Sequence, residues 1–525
     1  MGINGLWQAI APAAHHRSFA EFLTSEAVER TSNGESLPVI GVDASPLMFE
    51  AQGAAIRARK KGGSLARIGR NAEYGTLMKF LEQFIRAPCI VHVVFDGGAR
   101  PVRKRNRAVG QGRSQEHYLA GGFRALLDAF GFYWSIAPGE GEAQLAHMNR
   151  AGIVDFVFTS DSDIFLFGAV RVIRRPQMKE NRDHIEVYTS DALEDQDSGA
   201  LSRSGILFLA VVAGGDYNTT GLRGCGFDTA YTLAQSTELP QLLNAAISTE
   251  AGSSNVSDPL ARFRRRLRSG LITNPNLRTK RLSAAHGIPE SFPDPGIVRQ
   301  YANPITDVGP NLVAKRDVNL PDTDRLVRAA CDILEWRWAR TYEMLKSSAW
   351  PGHCMRQILE MKRNGITSHM SDTDYYSKAN GLGGKAIRAI LKITTTSHPG
   401  ASGVFKYCGL ETWIQSVNVP AIQAYEEVMR CDIGPSAKFR TSATLWIPGK
   451  IINYVHPELV AQFFHDEACR QAPPRCGTKR AASASPPRTP SSHERRNLKV
   501  HVTEVYDARL GKIVLDLCTD DEESD

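Results

Sequence analysis

The N-terminal half of the chain is predicted to form an α/β domain built on a parallel sheet. The candidate strands are short apolar runs rich in β-branched residues, at 38–42, 90–95, 156–159 and 170–173. Helical patterns separate them, as at 74–85 and 122–130. Strands that alternate with helices favour a parallel sheet, and the ligands of such sheets bind where the strands end.

Length and composition indicate a multidomain protein with a sizeable core. The chain has 525 residues, of which 42% are hydrophobic, and a formal net charge of +7. The longest apolar run, at 206–213, is too short to cross a membrane, so we expect no membrane partner. The nine cysteines are scattered without a CxxC pair, which indicates reduced intracellular thiols and argues against a structural zinc.

Seven carboxylates at the ends of apolar runs or in acidic pairs indicate one metal site. They are Asp43 in VIGVDAS, Asp96 in VHVVFDGG, Glu140 and Glu142 in GEGEAQLA, Asp161 and Asp163 in TSDSDIFLFG, and Asp216 in GGDYN. An acidic residue after a β-branched run is costly unless its charge is compensated. The repetition predicts a site that concentrates negative charge and needs divalent cations.

Each carboxylate taken alone has a simpler interpretation. Asp43 or Asp216 by itself would more often cap a helix or a turn, and each acidic pair could lie in a solvated turn. Two like charges this close destabilise each other unless a cation lies between them, so the pairs favour the metal site.

Two basic segments accompany this acidic pattern. Residues 99–115 are polar, basic and glycine-containing, and they predict a mobile loop or a short helical arch. Between 258 and 282, one acid faces a larger set of basic residues, namely Arg262, Arg264, Arg265, Arg266, Arg268, Arg278, Lys280 and Arg281. Basic surfaces beside an acidic site fit a polyanionic substrate.

Six motifs occur in an order that resembles a known family. Along residues 1–290 the chain reads MGINGLWQAI, VDAS, FDGG, GEGEAQLA, TSDSDIFLFG and GGDYNTTGLRGCG. These strings in this order resemble the flap endonuclease/XPG superfamily of structure-specific DNA nucleases. Within it, the chain is most similar to the eukaryotic Holliday-junction resolvases of the GEN/Yen type.

The resemblance implies a role for the acidic and the first basic residues. The seven carboxylates would hold two Mg²⁺ ions per active site, with Mn²⁺ as a plausible substitute. Arg103, Lys104 and Arg105 would clamp the scissile phosphate from the arch, although a solvated basic loop explains any one of them equally well. Gly2 and Arg107 would also contact DNA.

The resemblance also covers the glycines after residue 220 and the basic cluster. Gly224 and Gly226 in GLRGCGFDTAYTLA would let backbone N–H groups approach a duplex phosphate in a helix-hairpin-helix, which can hold a monovalent cation. A glycine helix cap is the alternative. The duplex-binding face would consist of Arg262, Arg264, Arg265, Arg266, Arg268, Lys280 and Arg281.

The short arch favours the resolvase branch. Only 43 residues lie between Asp96 and Glu140, whereas family members that thread a 5′ flap have a longer insert. A short arch leaves the site open to a continuous strand, as a four-way junction requires.

The C-terminal part contains a small unit and a tail. Residues 386–467 resemble the chromodomain that follows the nuclease core in these resolvases, and we expect this unit to contact DNA rather than a modified histone. Its aromatic residues at 405, 407, 413 and 446 could form a methyl-lysine cage, but core packing is the better interpretation. The tail composition after Cys469 predicts disorder.

Short motifs in the tail predict regulation. Ser485 fits a proline-directed kinase site, and the apolar strand 513–517 with its acidic flank resembles a SUMO-interacting motif. Basic pairs at 479–480 and 495–496 would support nuclear import, with cell-cycle regulation between cytoplasm and nucleus. Such short pairs arise often by chance, and an ordinary strand in a disordered tail explains 513–517 equally well.

These observations divide the chain into seven parts. They are an N-terminal nuclease part (1–98), a short basic arch (99–121), an internal nuclease part (122–215), a helix-hairpin-helix region (216–290), a linker with helices that pack on the core (291–385), a chromodomain-like unit (386–467) and a disordered regulatory tail (468–525).

Three functions are compatible with this organisation. The first is a Mg²⁺-dependent endonuclease that resolves Holliday junctions by paired symmetric nicks near the branch point, with two copies on one junction, and that also cuts 5′ flaps and replication forks. The second is a 5′-flap endonuclease or exonuclease, against which the absence of a QxxLxxFF sliding-clamp box argues mildly. The third is a non-enzymatic junction- or chromatin-binding module, which would gain nothing from crowded carboxylates.

Overall fold

The structure, a computed structural model, describes most of the chain. The described residues are 2–60, 71–101, 103–104, 107–108, 116–176, 183–195, 201–236, 238–248, 259–309, 312–365, 389–394, 404–408, 411–431, 433, 444–471, 500–507 and 512–519. No described helix is both long enough and apolar enough to cross a membrane.

The strands are numbered in chain order. They are β1 (His15–Ser18), β2 (Val39–Asp43), β3 (Ile90–Phe95), β4 (Arg103–Lys104), β5 (Arg107–Ala108), β6 (Tyr133–Ile136), β7 (Phe156–Phe158), β8 (Arg171–Arg174), β9 (His184–Thr189), β10 (Ala389–Thr394), β11 (Val404–Cys408), β12 (Thr444–Pro448), β13 (Val500–Asp507) and β14 (Lys512–Thr519).

The helices are numbered in the same way. The N-terminal ones are α1 (Leu6–Ala9), α2 (Phe19–Ser32), α3 (Ala44–Lys60), α4 (Ala72–Ile85), α5 (Ala120–Phe130), α6 (Gly141–Arg150), α7 (Asp163–Leu166), α8 (Ser190–Glu194) and α9 (Arg203–Val212), with a 3₁₀ turn at Ala11–Ala13. The remaining ones are α10 (Phe227–Ala234), α11 (Glu238–Ser248), α12 (Pro259–Thr273), α13 (Leu282–His286), α14 (Pro295–Ala302), α15 (Thr323–Asp332), α16 (Trp338–Met344), α17 (Trp350–Arg363), α18 (Glu411–Met429), α19 (Gly449–Val455) and α20 (Pro457–Gln471), with a π turn at Leu345–Ala349.

Seven strands form the central sheet, in the order β1-β9-β8-β7-β2-β3-β6. The five strands from β8 to β6 pair in parallel, so their carboxyl ends lie along one edge. The four predicted strands are β2, β3, β7 and β8, and each observed boundary lies within one residue of the predicted one. The predicted α/β class with a mostly parallel sheet is confirmed.

Apolar runs alone do not reveal the strands at the two edges of the sheet. Edge strand β1 is largely exposed, and edge strand β6 alternates half-buried with exposed residues. Strand β9 pairs antiparallel with β8 and with β1. Edge strands need no continuous apolar run because one side of each faces solvent.

Helices pack on the sheet through aromatic side chains. The ring of Phe84 on α4 lies 5.3 Å from the ring of Phe158 on β7 and 5.3 Å from that of Phe19 on α2. Buried aromatic pairs of this kind contribute about 1 kcal/mol each beyond the burial of their area. This packing fixes strand β7, whose carboxyl end leads to Asp161.

A buried arginine ties helix α17 to the start of β3. The guanidinium of Arg356 donates to the carbonyl oxygens of Phe84, Ile85, Ala87 and Cys89, at 2.6–3.2 Å. Arg356 is 2% exposed, and burial lowers its pKa to about 10. The last carbonyls of a helix have no partner within the helix. The guanidinium of Arg356 supplies donors to two of them, and it also satisfies two carbonyls of the turn before β3.

The basic arch is a hairpin where the structure describes it. Strands β4 and β5 pair antiparallel, with Lys104 opposite Arg107. The expectation of a helical arch is therefore wrong for these residues, while 105–106 and 109–115 lie outside the described part. A hairpin suits alternating basic residues because neighbouring side chains point to opposite faces.

The segment after α14 is extended, as predicted for a linker packed on the core. Gln144 and Asp307 exchange two hydrogen bonds, of 3.1 Å and 2.6 Å, between side chain and backbone. Arg316 pairs with Asp155 at 2.6 Å. These contacts hold the segment against α6 and the loop before β7.

The C-terminal unit contains a three-stranded antiparallel sheet, β10-β11-β12. Trp413 lies in helix α18, which continues to Met429. Trp446 is 43% exposed, which contradicts core packing for this residue. The side chains of Phe405 and Tyr407 lie outside the described part.

This unit packs on the nuclease core rather than standing apart from it. Trp338 of α16 donates its backbone N–H to the hydroxyl of Tyr425 at 2.9 Å, and Lys450 donates to Ser25 of α2 at 2.9 Å. Ala421 and Ala424 of α18 are buried within the common core. The C-terminal unit therefore contacts the nuclease core through α18 and α19.

The tail contains one described pair of strands. Helix α20 continues to Gln471, past the expected boundary at 468, and β13 pairs antiparallel with β14. The segment 513–517 lies inside β14. Ser485 and the basic pairs of the tail lie outside the described residues.

Candidate functional site

The sheet topology brings the predicted carboxylates to one edge. Asp43 ends β2, Asp96 follows β3, the two glutamates lie at the start of α6 after β6, and the aspartate pair follows β7 at the start of α7. All but Asp96 are buried, with exposures of 1–6%: Asp43, Glu140, Glu142, Asp161, Asp163 and Asp216. Asp216 arrives from the turn after α9 instead of from a strand.

A close backbone approach joins the loops after β3 and β6. The N–H of Gly97 donates to the carbonyl of Gly139 at 2.7 Å, and a Cβ at Gly97 would lie 1.7 Å from the carbonyl oxygen of Ala137. The N–H of Gly141 donates to Asp96 Oδ1 at 2.8 Å. Only glycine at position 97 therefore allows Asp96 to reach the start of α6.

Asp43 and Asp96 are connected by a serine. Ser45 donates its hydroxyl to Asp96 Oδ2 at 2.7 Å and its backbone N–H to Asp43 Oδ1 at 3.1 Å. Arg100 lies 3.2 Å from the same Asp96 oxygen. These contacts orient two carboxylates that belong to neighbouring strands.

Lys104 of strand β4 lies among three other carboxylates of the site. Its Nζ is 2.8 Å from Glu140 Oε1, 2.7 Å from Glu142 Oε1 and 3.4 Å from Asp216 Oδ2. Desolvation alone would lower the pKa of Lys104, but the charges of Glu142 and Glu140 hold it well above the usual range. The predicted clamp residue thus contacts the acids directly.

Two stacked tyrosines hold Glu140 in place. The hydroxyl of Tyr217 donates to Glu140 Oε2, and its ring stacks on that of Tyr301 with centroids 4.3 Å apart. Tyr301 accepts the backbone N–H of Tyr217 at 2.9 Å. Helix α14, outside the motif sequence, therefore positions the acidic site.

The N-terminal segment closes the site beside the second acidic pair. The backbone N–H of Ile3 donates to Asp163 Oδ1 at 3.0 Å. A Cβ on Gly2 would lie 2.4 Å from Asp161 Oδ1 and 2.6 Å from Asp163 Oδ1. Gly2, predicted as a DNA contact, thus lies against the carboxylates.

Burial and mutual repulsion raise the pKa of several carboxyls. Desolvation is the largest cause for Asp43, followed by the charges of Asp96 and Asp161. Desolvation likewise raises the pKa of Glu142, Asp161 and Asp163. A cation between these groups would relieve both effects.

The donor set fits hard divalent cations. It consists of carboxylate oxygens, and Oε2 of Glu142 is buried without a hydrogen bond from the described residues. In the described part of the chain, no three His, Cys, Asp or Glu side chains converge closely enough to ligate one ion. The ammonium of Lys104 occupies the space between Glu140, Glu142 and Asp216.

The other arch residues can be placed only by their backbones. Arg103 pairs with Ala108, and Arg107 is opposite Lys104. The side chains of Arg103 and Arg107, and the whole of Arg105, lie outside the described part.

The basic helix α12 has two different faces. Arg264 donates to the carbonyl of Phe292 at 3.3 Å and Arg268 to that of Ala285 at 3.1 Å, while Phe263, Leu267 and Leu271 are buried. Arg262 and Arg265 are exposed. Arg264 and Arg268 are thus partly engaged within the protein, and contact of the cluster with DNA stays a prediction.

Three further predicted contacts lie at or near this surface. Arg266 is exposed and pairs with Glu238 at 2.6 Å, and Lys280 is exposed. Arg281 donates to Thr229 on α10 at 3.2 Å. An ion pair between exposed groups is weak, so Arg266 can exchange Glu238 for a phosphate.

The predicted helix-hairpin-helix glycines form a turn before α10. Gly224 has φ +81°, a conformation that side chains rarely adopt, and Gly226 precedes the first residue of α10. Both glycines line an open cleft together with Arg281. The backbone N–H groups at the start of α10 thus face solvent beside an arginine, which suits a phosphate.

Comparison with known proteins agrees with this site. Residues 131–216 match the family model described as XPG I-region. The matched segment includes both acidic pairs and Asp216, whereas Asp43 and Asp96 precede it.

Several relatives share part of the chain. The proteins named "Flap endonuclease GEN homolog 1" from Mus musculus and Homo sapiens are 29% and 28% identical over 246 and 254 residues. Each alignment covers 45% of this chain but only 25% of the relative, so the chain spans about a quarter of their length. "Flap endonuclease 1" from Caldivirga maquilingensis is 37% identical over 135 residues, which cover 24% of this chain and 38% of that protein.

Solved structures share the fold. One is described as "eukaryotic junction-resolving enzyme GEN-1 binding with Cesium", with a TM-score of 0.64 at 20% identity, covering 89% of this chain and 100% of that one. The "Holliday junction-resolving enzyme GEN1 (WT) in complex with product DNA and Mg2+ ion" gives 0.60 at the same identity and coverage. The resemblance to the flap endonuclease/XPG superfamily is confirmed, while the chromodomain likeness stays a prediction.

Sequence reasoning missed the residues that orient the acids. Ser45, Arg100, Tyr217 and Tyr301 hold Asp43, Asp96 or Glu140 through contacts that cross up to 84 positions of sequence. The adjacency of Tyr217 to Asp216 in GGDYN was the one available signal.

Proposed function

We propose that the chain is a metal-dependent DNA endonuclease that resolves four-way junctions by paired symmetric nicks near the branch point. The single observation that carries this proposal is the convergence of buried carboxylates at the carboxyl edge of the sheet, beside a basic hairpin. Crowded acids next to bases suit cleavage of a polyanion, and a protein that only binds DNA would not need them.

The chemistry follows from the positions of these side chains. Asp43, Glu142, Asp161 and Asp163 would hold the divalent ions, with Mn²⁺ able to replace Mg²⁺. The ions would supply an activated water and stabilise the leaving oxygen. Ser45 and Tyr217 orient neighbouring acids through hydrogen bonds to Asp43, Asp96 and Glu140.

Two features support a junction as the substrate. The arch is short, with 43 residues between Asp96 and Glu140, and in its described part β4 and β5 form a small hairpin. The GEN1 structures that share the fold are described as junction-resolving enzymes. One acidic site cuts one strand, so symmetric resolution requires a second copy on the same junction.

A four-way junction and a 5′ flap incubated side by side with Mg²⁺ test this function. We expect paired nicks on opposite strands of the junction, some flap cutting, and no cutting when EDTA is present. Flap cutting with intact junctions would instead favour the 5′-flap nuclease, a function that the names of the curated relatives support. Binding without any cutting would favour the non-enzymatic module.

The DNA contacts and the regulation are further proposals. Arg262, Arg265, Arg266 and Lys280 would bind duplex phosphates. The turn at Gly224 would add backbone donors and a monovalent-cation site. The C-terminal unit would contact DNA rather than a modified histone.

A nuclear location, a kinase site at Ser485 and a SUMO-binding strand at 513–517 rest on sequence motifs. Localisation of a fluorescent fusion with and without Ser485→Ala tests the first two.

A further inference from the structure

The basic hairpin brings a protein cation into the acidic site. Lys104 makes two hydrogen bonds, to Glu140 and Glu142, and an ion pair with Asp216 at 3.4 Å. The side chain is only 25% exposed, and the three acids are exposed by no more than 6%. An ammonium has three donors, so these three partners engage its full capacity.

We propose that Lys104 is a built-in counter-ion, which occupies the acidic site of the DNA-free protein and must withdraw before divalent cations bind. The inference rests on the proposed nuclease function and concerns the regulation of the same site. Lys104 would thus do more than clamp a phosphate.

The charge balance of the site explains why such a counter-ion is useful. Several buried carboxylates face one another, and uncompensated charges in a desolvated site are costly. One ammonium neutralises only one of them. The unbonded Oε2 of Glu142 shows that the compensation is incomplete and that a cation with more ligand positions would be favoured.

The attachment of Lys104 allows it to leave. Its strand, β4, pairs only with β5 in a two-stranded sheet apart from the seven-stranded one. Each of these strands has two residues, so moving the hairpin breaks no bond of the central sheet. The arch that carries Lys104 is also the predicted phosphate clamp, so an arriving phosphate would draw the ammonium out of the acids and open the site to metal.

Glu140 would keep its position during this exchange. Its Oε1 bonds Lys104, whereas its Oε2 accepts the hydroxyl of Tyr217. Withdrawal of Lys104 therefore frees one oxygen of an already oriented carboxylate. The same movement frees Oε1 of Glu142, which then has two oxygens for a cation.

Mn²⁺ binding to the DNA-free protein tests the counter-ion without using activity. Free Mn²⁺ is followed by electron paramagnetic resonance for wild type, Lys104→Met, Lys104→Arg and Lys79→Met. Lys79 is exposed on α4 and provides a matched loss of one positive charge away from the acids. Lys104→Met should bind Mn²⁺ at least about tenfold more tightly, because a competing charge within about 4 Å is removed.

The controls separate this inference from the proposed function. Lys104→Arg and Lys79→Met should remain within about threefold of wild type, since the first keeps the local charge and the second changes a distant one. Circular dichroism verifies folding, and Lys104→Gln replaces the methionine variant if that one unfolds. Unchanged or weaker Mn²⁺ binding by the folded Lys104 variant overturns the counter-ion. A wild-type protein that neither binds Mn²⁺ nor cuts DNA overturns the nuclease function itself.

Discussion

Glu142 illustrates at the scale of one residue how the acidic site is built. It is 5% exposed, one oxygen accepts from Lys104 and the other accepts no bond from the described residues. Glu142 is the second residue of helix α6, so the helix backbone fixes its position in the site. A buried carboxylate oxygen without a donor costs free energy, which a bound cation would recover.

Neutral replacements of the acids should separate binding from cutting. In Asp43→Asn or Glu142→Gln, junction binding should persist or increase, because less negative charge faces the DNA, while cutting should be lost. Gel-shift titration and single-turnover cleavage measure the two effects. Asp191→Asn, at an exposed position on α8, serves as the control. A wild-type cleavage rate in either variant would exclude that residue from the metal site.

A histidine within the sheet should make the protein acid-sensitive. His92 on β3 bonds Ser135 at 2.9 Å, and burial lowers its pKa from 6.5 to about 4. As pH falls from about 6.5 to 4, the unfolded chain binds a proton at this position and the folded chain does not. The free energy of unfolding should therefore decrease, by on the order of 3 kcal/mol.

His92→Asn should reduce this loss of stability. Urea unfolding at pH 7 and pH 4.5 compares wild type, His92→Asn and the exposed control His286→Asn. The stability of His92→Asn should depend less on pH over this interval than that of the other two proteins. Equal pH dependence in all three would show that His92 is not the group responsible.

The seven acids could be found from sequence, but the groups that orient them could not. Strand ends and paired carboxylates leave a local pattern, as in TSDSD. Ser45, by contrast, bonds Asp96 across 51 positions, and Tyr301 bonds Tyr217 across 84. A single serine or tyrosine produces no periodic pattern in the sequence. Its distant hydrogen-bond partner can therefore be identified only from the folded structure.

At the scale of elements, helix α12 divides its arginines between the protein and solvent. Its apolar residues recur at helical spacing, as Phe263, Leu267 and Leu271, and they fix which arginines face outward. A count of basic residues gives the charge of the cluster, and only the helical phase tells which side chains can reach DNA.

Charge reversal on the outer face of α12 should weaken binding to every DNA shape. In Arg262→Glu with Arg265→Glu, each lost phosphate contact should lower the log–log salt slope by about 0.9. The matched pair Arg264→Gln with Arg268→Gln should lower thermal stability and change the salt slope little, because these side chains bond carbonyls. Similar slopes for the outer pair and wild type would place DNA elsewhere.

The buried strands were predictable to within one residue, whereas the edges and the arch were not. Strands β2, β3 and β7 are buried throughout and therefore rich in apolar residues, which gives a strong signal in the sequence. Strand β6 is half-buried only at every second residue, so it lacks a continuous apolar run. The many basic residues of the arch are compatible with both a hairpin and a helix. The docking of the C-terminal unit depends on alanines of α18, whose small size gives no sequence signal.

Deletion of the C-terminal unit should destabilise the nuclease core. Removal of 386–467 would expose the surfaces of α2 and α15–α17 that now contact this unit. We expect a lower thermal midpoint, and a smaller decrease for Ala424→Arg, which disturbs the α18 contact alone. An unchanged midpoint after the deletion would mean that the unit is independent, as the sequence suggested.

At the scale of the whole molecule, the length of the arch bears on which DNA ends matter. The acidic site lies at one edge of the sheet, with a small hairpin on one side and the basic face of α12 elsewhere on the surface. Because only 43 residues lie between Asp96 and Glu140, too few to enclose a threaded strand easily, cutting should not require a free 5′ end.

Blocking the 5′ end of a flap with a bulky protein should therefore slow cutting little, by less than about threefold in rate, equivalent to about 0.7 kcal/mol in activation free energy. Four-way junctions without a free end near the branch should be cut at equal rates in opposing strands. A strand-specific label on each arm measures both nicks in one reaction. Strong inhibition by the blocked end, with uncut junctions, would support the flap-nuclease alternative.

The buried fork of Arg356 has a consequence for how the chain folds during synthesis. The carbonyls that it satisfies lie between 84 and 89, some 267–272 positions earlier. While the ribosome is still translating the sequence between them, strand β3 is present but the end of α4 lacks its donor. Residues 1–290 of the nascent chain would therefore stay incompletely packed until helix α17 has been synthesised. Incompletely packed chains expose apolar surface, which chaperones bind.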